Sequence, residues 1–117
     1  MANRGEIACR ILRACKEAGH PTVAVCAPND AGSLFTEMAD TVVMLEGETI
    51  AETYLDQNQI IQAALTTGAT AIHPGFGFLS ERAEFATAVE AAGLTWIGPS
   101  ALALSLIHIS EPTRRAL

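Results

Sequence analysis

Three stretches of the chain repeat one pattern of apolar and polar positions: an amphipathic helix, a glycine, then a short β-branched run. The first runs from Glu6 to Ala18, through Gly19, into Thr22-Val23-Ala24-Val25-Cys26. The second spans Asp56 to Thr67, Gly68 and Ala69-Thr70-Ala71-Ile72-His73; the third spans Glu81 to Ala92, Gly93 and Leu94-Thr95-Trp96-Ile97. Each glycine falls where a helix ends in a left-handed residue, a conformation that costs glycine nothing. Thr41-Val42-Val43-Met44-Leu45 supplies another strand. Helices alternating with short, mostly apolar strands predict an α/β domain: a Rossmann-like parallel sheet flanked by helices.

The first helix carries the most signals. Asn3 is placed to cap it, and Glu6 three residues on completes a capping-box spacing. Ile7, Ile11, Ala14, Cys15 and Ala18 recur at helical spacing as its buried stripe. Glu6–Arg10 and Arg13–Glu17 are i,i+4 pairs of opposite charge, worth about 0.3–0.5 kcal/mol each. Cys9 and Cys15 read as packing residues rather than nucleophiles. What precedes this helix matters as much. No strand stands before it, so the first strand of the sheet, usually central and buried on both faces, is missing. About four or five such side chains at ~1.5–3 kcal/mol each approach a whole domain's ~5–15 kcal/mol, so the chain as written is expected to fold poorly.

Composition narrows the function classes. The 117 residues are 50% hydrophobic and carry a formal charge of −6, the profile of one domain with a real core. The acidity argues against a nucleic-acid or anionic-membrane surface. No apolar run approaches the ~20 residues of a spanning helix, and no secretory signal is visible. Three cysteines without a Cys-x-x-Cys pair disfavour a disulfide scaffold or zinc knuckle, making a reducing cytoplasm the expected location. Between Glu17 and Glu81 there is neither Lys nor Arg, while Asp30, Glu37, Asp40, Glu46, Glu48, Glu52 and Asp56 accumulate. A triphosphate needs convergent cations or a glycine nest with a metal, so this chain is poorly equipped to hold one by itself. The acidic stretch reads as a solvated face rather than a metal site.

Chemistry concentrates in His73-Pro74-Gly75-Phe76-Gly77-Phe78-Leu79-Ser80-Glu81. There the chain leaves a strand, turns through Gly-Phe-Gly and enters a helix with Ser80 as N-cap. Two glycines let backbone amides approach a ligand at the carboxyl end of a strand, where α/β sheets bind. The Gly-x-Gly alone is weak, since it lacks the third glycine and the acidic partner of a dinucleotide fingerprint. A tight structural turn is the simpler reading of its spacing. His73 reads as a strand-end histidine satisfied by a hydrogen bond, with ligand or base as the alternative. Ser80 lacks the flanking glycines of a nucleophile elbow.

Taken together the motifs carry more. Ala2-Asn3-Arg4-Gly5-Glu6-Ile7-Ala8, Arg-Ile-Leu-Arg-Ala-Cys-Lys-Glu (10–17), Met-Ala-Asp (38–40), Glu-Thr-Tyr-Leu (52–55), the 73–81 segment and Ile-Gly-Pro (97–99) stand in order. In that order and spacing they resemble the N-terminal, pre-ATP-grasp domain of biotin carboxylases, over residues 2 to about 103. That domain is shared by acetyl-, propionyl- and methylcrotonyl-CoA carboxylases, pyruvate carboxylase and urea carboxylase. The resemblance implies a ligase whose full-length form uses Mg-ATP to activate bicarbonate as carboxyphosphate and then carboxylates carrier-bound biotin. It implies as partners a biotin carboxyl carrier protein or domain, a carboxyltransferase and a second copy in a homodimer. It also implies an apolar strand just before Ala2-Asn3-Arg4-Gly5-Glu6. The family's residues for ATP, metal, bicarbonate and catalysis lie downstream, so this fragment alone is expected to be inactive, with no catalytic or metal residue of its own. Gly75, Phe76 and Gly77 match the loop bordering the biotin site. The family often has Tyr at Phe76, so a role for a phenolic hydroxyl is not available there. Arg82 stands where Asn is common. The first helix gives Arg13 and Glu17 a place in the dimer contact.

The domain so implied covers 1–103, incomplete at its N-terminus. From Leu104 the pattern stops, and Leu-Ser-Leu-Ile-His-Ile-Ser-Glu-Pro-Thr-Arg (104–114) resembles the conceptual translation of a transposase-type sequencing-library adapter. Residues 104–117 are therefore expected to be a non-native tail. The alternative to a carboxylase fragment is a non-catalytic Rossmann-like module that binds a small ligand or partner through Gly75–Gly77.

Overall fold

The computed structural model describes residues 1–105; of the tail expected over 104–117, residues 106–117 lie outside the described residues. In chain order the elements are α1 (Gly5–Glu17), β1 (Val23–Cys26), α2 (Leu34–Met38), β2 (Thr41–Met44), α3 (Gln57–Thr67), β3 (Ala71–Ile72), α4 (Ala83–Ala91) and β4 (Thr95–Trp96), with a last helix at 101–105. Short 3₁₀ turns occupy Pro28–Asp30 and Phe78–Glu81. The three helix–glycine–strand units are all present, and Gly19, Gly68 and Gly93 all take positive φ.

The strands are parallel, as expected, but they form two separate pairs. β1 pairs β2 with Val23 opposite Thr41 and Cys26 opposite Met44; β3 pairs β4 with Ala71 opposite Thr95. Met1 and Ala2 bridge them. The Met1 α-amino group donates to Val23 O (2.7 Å), Val25 N–H donates to Met1 O (3.4 Å), and Ala2 N–H donates to His73 O (3.0 Å). These two residues therefore join β1 to β3 through backbone hydrogen bonds. Behind them a trough of about 580 Å³ runs between the half-sheets.

Helices cover both faces. Ala24 and Cys26 pack with Ala8 and Leu12 of α1 and Phe35 of α2, whereas Val25 packs with Ile60, Ala63 and Ala64 of α3. The second cluster extends through Tyr54, Leu79, Phe85 and Val89. Phe85 meets Trp96 edge to face at 5.5 Å between centroids. At the mouth of β1, Asp40 Oδ2 accepts from Thr22 N–H (2.8 Å) and Thr22 Oγ1 (3.1 Å), clasping the starts of β1 and β2. These hydrogen bonds hold the Asp40 carboxyl below its ordinary pKa.

Several local expectations are corrected. The cap of α1 is Arg4, without a side-chain hydrogen bond, because the Asn3 amide is committed elsewhere. The buried residues of α1 are Ala8 and Leu12; Ala14 and Ala18 are exposed, and Ile11 and Cys15 line the trough. Neither Glu6–Arg10 nor Arg13–Glu17 closes to 4 Å among the described residues, the usual outcome where water solvates both ions. Ser80 is buried in the 3₁₀ turn, and α4 starts after Arg82 rather than at Glu81. Asp56 caps α3, accepting from Asn58 and Gln59 N–H, and Gly68 ends the helix with φ 75°. Leu104, assigned to the tail, is buried, and its N–H donates to Ser100 O (3.0 Å).

Candidate ligand-binding loop at the carboxyl edge of the sheet

The Gly-Phe-Gly turn sits at the carboxyl end of β3, beside the point where Ala2 leaves the ladder. Its backbone is sharply curled: φ is 69° at Gly75, 63° at Gly77 and 49° at Phe78. Phe78 is the one non-glycine residue with positive φ among the described residues, a conformation that costs roughly 1–2 kcal/mol. Two side chains hold this curl in place.

Asn3 is the first. Its side-chain Nδ2 donates to Pro74 O (2.8 Å) and to Phe76 O (2.6 Å), while its Oδ1 accepts from Arg4 N–H (2.8 Å). The residue is buried, and every hydrogen-bonding position it turns toward the loop is used. Gly75 must be glycine for two reasons: its positive φ, and the 2.8 Å that would separate an added Cβ from Asn3 Nδ2. Tyr54 is the second. Its ring stacks on Phe78 at 5.3 Å, and its hydroxyl donates to Asp30 Oδ2 (2.7 Å) while accepting from Ala27 N–H (3.0 Å). Arg4 joins this group, 3.0 Å from Asp30 Oδ1 and 5.8 Å above the Tyr54 ring. Burial, with Asp30 alongside, pushes the Tyr54 hydroxyl above its ordinary range, so it stays a neutral donor. Burial also raises the Cys26 thiol, with Asp30 adding to the effect, which leaves that cysteine unreactive.

His73 is satisfied as expected: Gly75 N–H donates to its Nδ1 (3.1 Å), which must therefore be unprotonated. Desolvation, then the positive Met1 amine, push its pKa down in support of that neutral form. The loop presents outward what these contacts leave over. Phe76 is 74% exposed, and among the described residues no acceptor faces the N–H groups of Phe76 and Gly77. The loop can thus offer two amide donors and an aromatic face to an incoming ligand. Arg13 and Glu17 lie exposed on α1. No three His, Cys, Asp or Glu side chains converge among the described residues. No helix there is long and apolar enough to cross a membrane.

The expected loop is therefore a built structure, and its supports Asp30 and Tyr54 were not anticipated. Only the single tyrosine within Glu-Thr-Tyr-Leu hinted at one of them.

A sequence model described as "Biotin carboxylase, N-terminal domain" matches residues 1–104. The chain belongs to the biotin carboxylase family. It is 55% identical over 100 residues to the biotin-dependent acyl-coenzyme A carboxylase alpha3 subunit of Mycobacterium leprae, covering 86% of this chain and 17% of that protein. It is 50% identical over 107 residues to the biotin carboxylase of Pseudomonas aeruginosa, covering 92% and 24%. Among solved structures, the biotin carboxylase domain of a thermophilic 2-oxoglutarate carboxylase bound to ADP superposes with a TM-score of 0.90 at 42% identity. That match covers 97% of this chain and 25% of the other. The chain thus spans about a quarter or less of these biotin carboxylase relatives. Across them it corresponds to the N-terminal domain, as the motifs predicted.

Proposed function

We propose that this chain is the N-terminal domain of a biotin-dependent carboxylase whose complete form carboxylates carrier-bound biotin with bicarbonate and Mg-ATP, through carboxyphosphate. The observation that carries this reading is the family match over residues 1–104, joined to the braced loop at 74–78. Within that enzyme Gly75, Phe76 and Gly77 border the biotin site, and the open Phe76 and Gly77 amides are the donors this chain brings to it. Asn3 and Tyr54 hold those amides in place. ATP and magnesium supply the activation of bicarbonate; the residues for them belong downstream, consistent with a chain that has no Lys or Arg between Glu17 and Glu81. Arg13 and Glu17 serve the contact with a second copy. The partners are a biotin carboxyl carrier and a carboxyltransferase, and the location is the cytoplasm. Residues 1–103 form the domain.

The test joins residues 1–103 to a biotin carboxylase ATP-grasp and C-terminal region and measures bicarbonate-dependent ATP hydrolysis with free biotin. Stimulation by biotin in the joined protein, and none in the 117-residue chain, is the expected result. Activity in the isolated chain would overturn the placement of the chemistry. A joined protein that folds yet ignores biotin would favour the non-catalytic module.

A further inference from the structure

Two ion pairs close within 4 Å among the described residues, and they differ in kind. Arg82 Nη1 lies 3.9 Å from Glu84 Oε1 with both side chains well exposed, an arrangement that contributes little. Arg4 Nη2 lies 3.0 Å from Asp30 Oδ1, and the Asp30 side chain is only 10% exposed against 42% for Arg4. The Asp30 carboxylate divides its two oxygens. Oδ1 goes to Arg4, which leaves Oδ2 to accept the Tyr54 hydroxyl proton at 2.7 Å. The ion pair thereby fixes the rotation of the carboxylate, and with it the direction of the Tyr54 O–H. Ala27 N–H donates to the same hydroxyl (3.0 Å), so the Tyr54 ring is held in one orientation. Packed apolar side chains often stabilise an interior as well as a buried ion pair does. They carry no such direction.

Orientation matters here because the Tyr54 ring is the platform for Phe78. The two rings lie 5.3 Å apart and within 10° of parallel. Phe78 holds φ 49°, a backbone state that a bulky residue leaves unless its surroundings keep it there. It directly follows Gly77, at φ 63° and ψ −160°, whose N–H is one of the two open donors. A tilt of Tyr54 would let Phe78 relax, and the Gly77 amide would turn with it. Arg4 also serves the other clamp. Its own N–H donates to Asn3 Oδ1 (2.8 Å), which sets the Asn3 amide with Nδ2 toward Pro74 O and Phe76 O. One residue therefore reaches both ends of the loop, by its backbone at 74–76 and by its side chain at 78. No other cation lies within 4 Å of Asp30 among the described residues.

We propose that Arg4 and Asp30 are positioning residues for the open Phe76 and Gly77 amides, acting through the Tyr54 hydroxyl and the Phe78 ring. The proposal rests on the reading of Gly75–Gly77 as the border of the biotin site. Neither side chain needs to touch the ligand. Their part is to keep two donors aimed before the ligand arrives, so that binding does not have to order the loop.

The test uses residues 1–103 joined to the downstream region of a biotin carboxylase and compares Arg4→Met, Arg4→Lys, Asp30→Asn and the Arg4→Met/Asp30→Asn double variant. Arg4→Met is expected to raise KM for biotin about tenfold while KM for ATP stays within about twofold. Amide exchange should quicken at Phe76 and Gly77 and stay unchanged in α3. Arg4→Lys keeps the charge without the planar fork and should fall between Arg4→Met and the unsubstituted protein. In the Asp30→Asn background, Arg4→Met should add less than about twofold, because the pair acts as one unit. Multiplying effects in the double variant would mean that Arg4 acts independently of Asp30, and would overturn the positioning role. An Arg4→Met protein with unchanged KM for biotin and unchanged loop exchange, or with faster exchange throughout, would overturn it as well. Should Asp30→Asn fail to fold, the two Arg4 variants, altered at a partly exposed side chain, decide by the same readouts. If the unsubstituted joined protein folds but ignores biotin, the carboxylase reading fails by itself. Exchange at Phe76 and Gly77 in Arg4→Met then still decides whether the ion pair holds the loop.

Discussion

Removing the Asn3 amide should collapse the support of the 74–78 loop. In Asn3→Ala the chain loses hydrogen bonds of 2.8 Å to Pro74 O and 2.6 Å to Phe76 O, along with the acceptor for Arg4 N–H. One buried and one part-buried hydrogen bond at ~1 kcal/mol each, plus desolvation of the carbonyl left without a donor, put the loss at about 2–4 kcal/mol. At roughly 4 °C per kcal/mol for a domain of this size, Tm falls by about 8–16 °C. Asn3→Asp should be no better than alanine, since it aims a carboxylate at two carbonyl oxygens. The control is Asn58→Ala, an exposed position expected to stay within about 0.5 kcal/mol. Thermal unfolding of the three variants gives the ranking, and amide exchange at Phe76 and Gly77 localises it. An Asn3→Ala protein as stable as the control, with an unchanged loop, would refute the clamp.

Other consequences follow from the same geometry. Gly75→Ala should cost about 1–3 kcal/mol, because φ is 69° and the new Cβ would lie 2.8 Å from Asn3 Nδ2; denaturant unfolding measures it. Tyr54→Phe keeps the stack on Phe78 but strips a donor from Asp30 and an acceptor from Ala27 N–H, for about 1–3 kcal/mol by the same assay. The 117-residue chain should gain stability as pH rises from 6 to 8. Burial lowers the Met1 amine from 8.0 to about 6, so in that window the unfolded chain binds the extra proton. The gain is at most ~3 kcal/mol. It is complete above pH 8, lost as pH falls through 6, and removed by acetylating the amine. Melting curves across that range check the sign.

The helices and strands were legible because each rests on local signals. Asp56 and Gly68 mark both ends of α3, and β-branched runs mark β1 and β2. The loop supports were not. Asn3 satisfies the spacing of a helix cap, and nothing local says that its amide reaches Pro74 and Phe76, some seventy positions on. Tyr54 and Asp30 likewise meet only when the turns after β1 and β2 come together at the sheet edge. The stripe of α1 was read with Ala14 and Ala18 inside, because periodicity marks an apolar face without saying how wide a surface awaits it. Ile11 and Cys15 line the trough between β1 and β3 instead of a packed core.

The most direct measurement is biotin-stimulated, bicarbonate-dependent ATP hydrolysis by residues 1–103 joined to the downstream region of a biotin carboxylase, with and without Asn3→Ala. The account predicts stimulation in the joined protein, a raised KM for biotin in the variant, and little change in hydrolysis without biotin. A folded joined protein that biotin does not stimulate would contradict the claim that this chain is a working carboxylase domain.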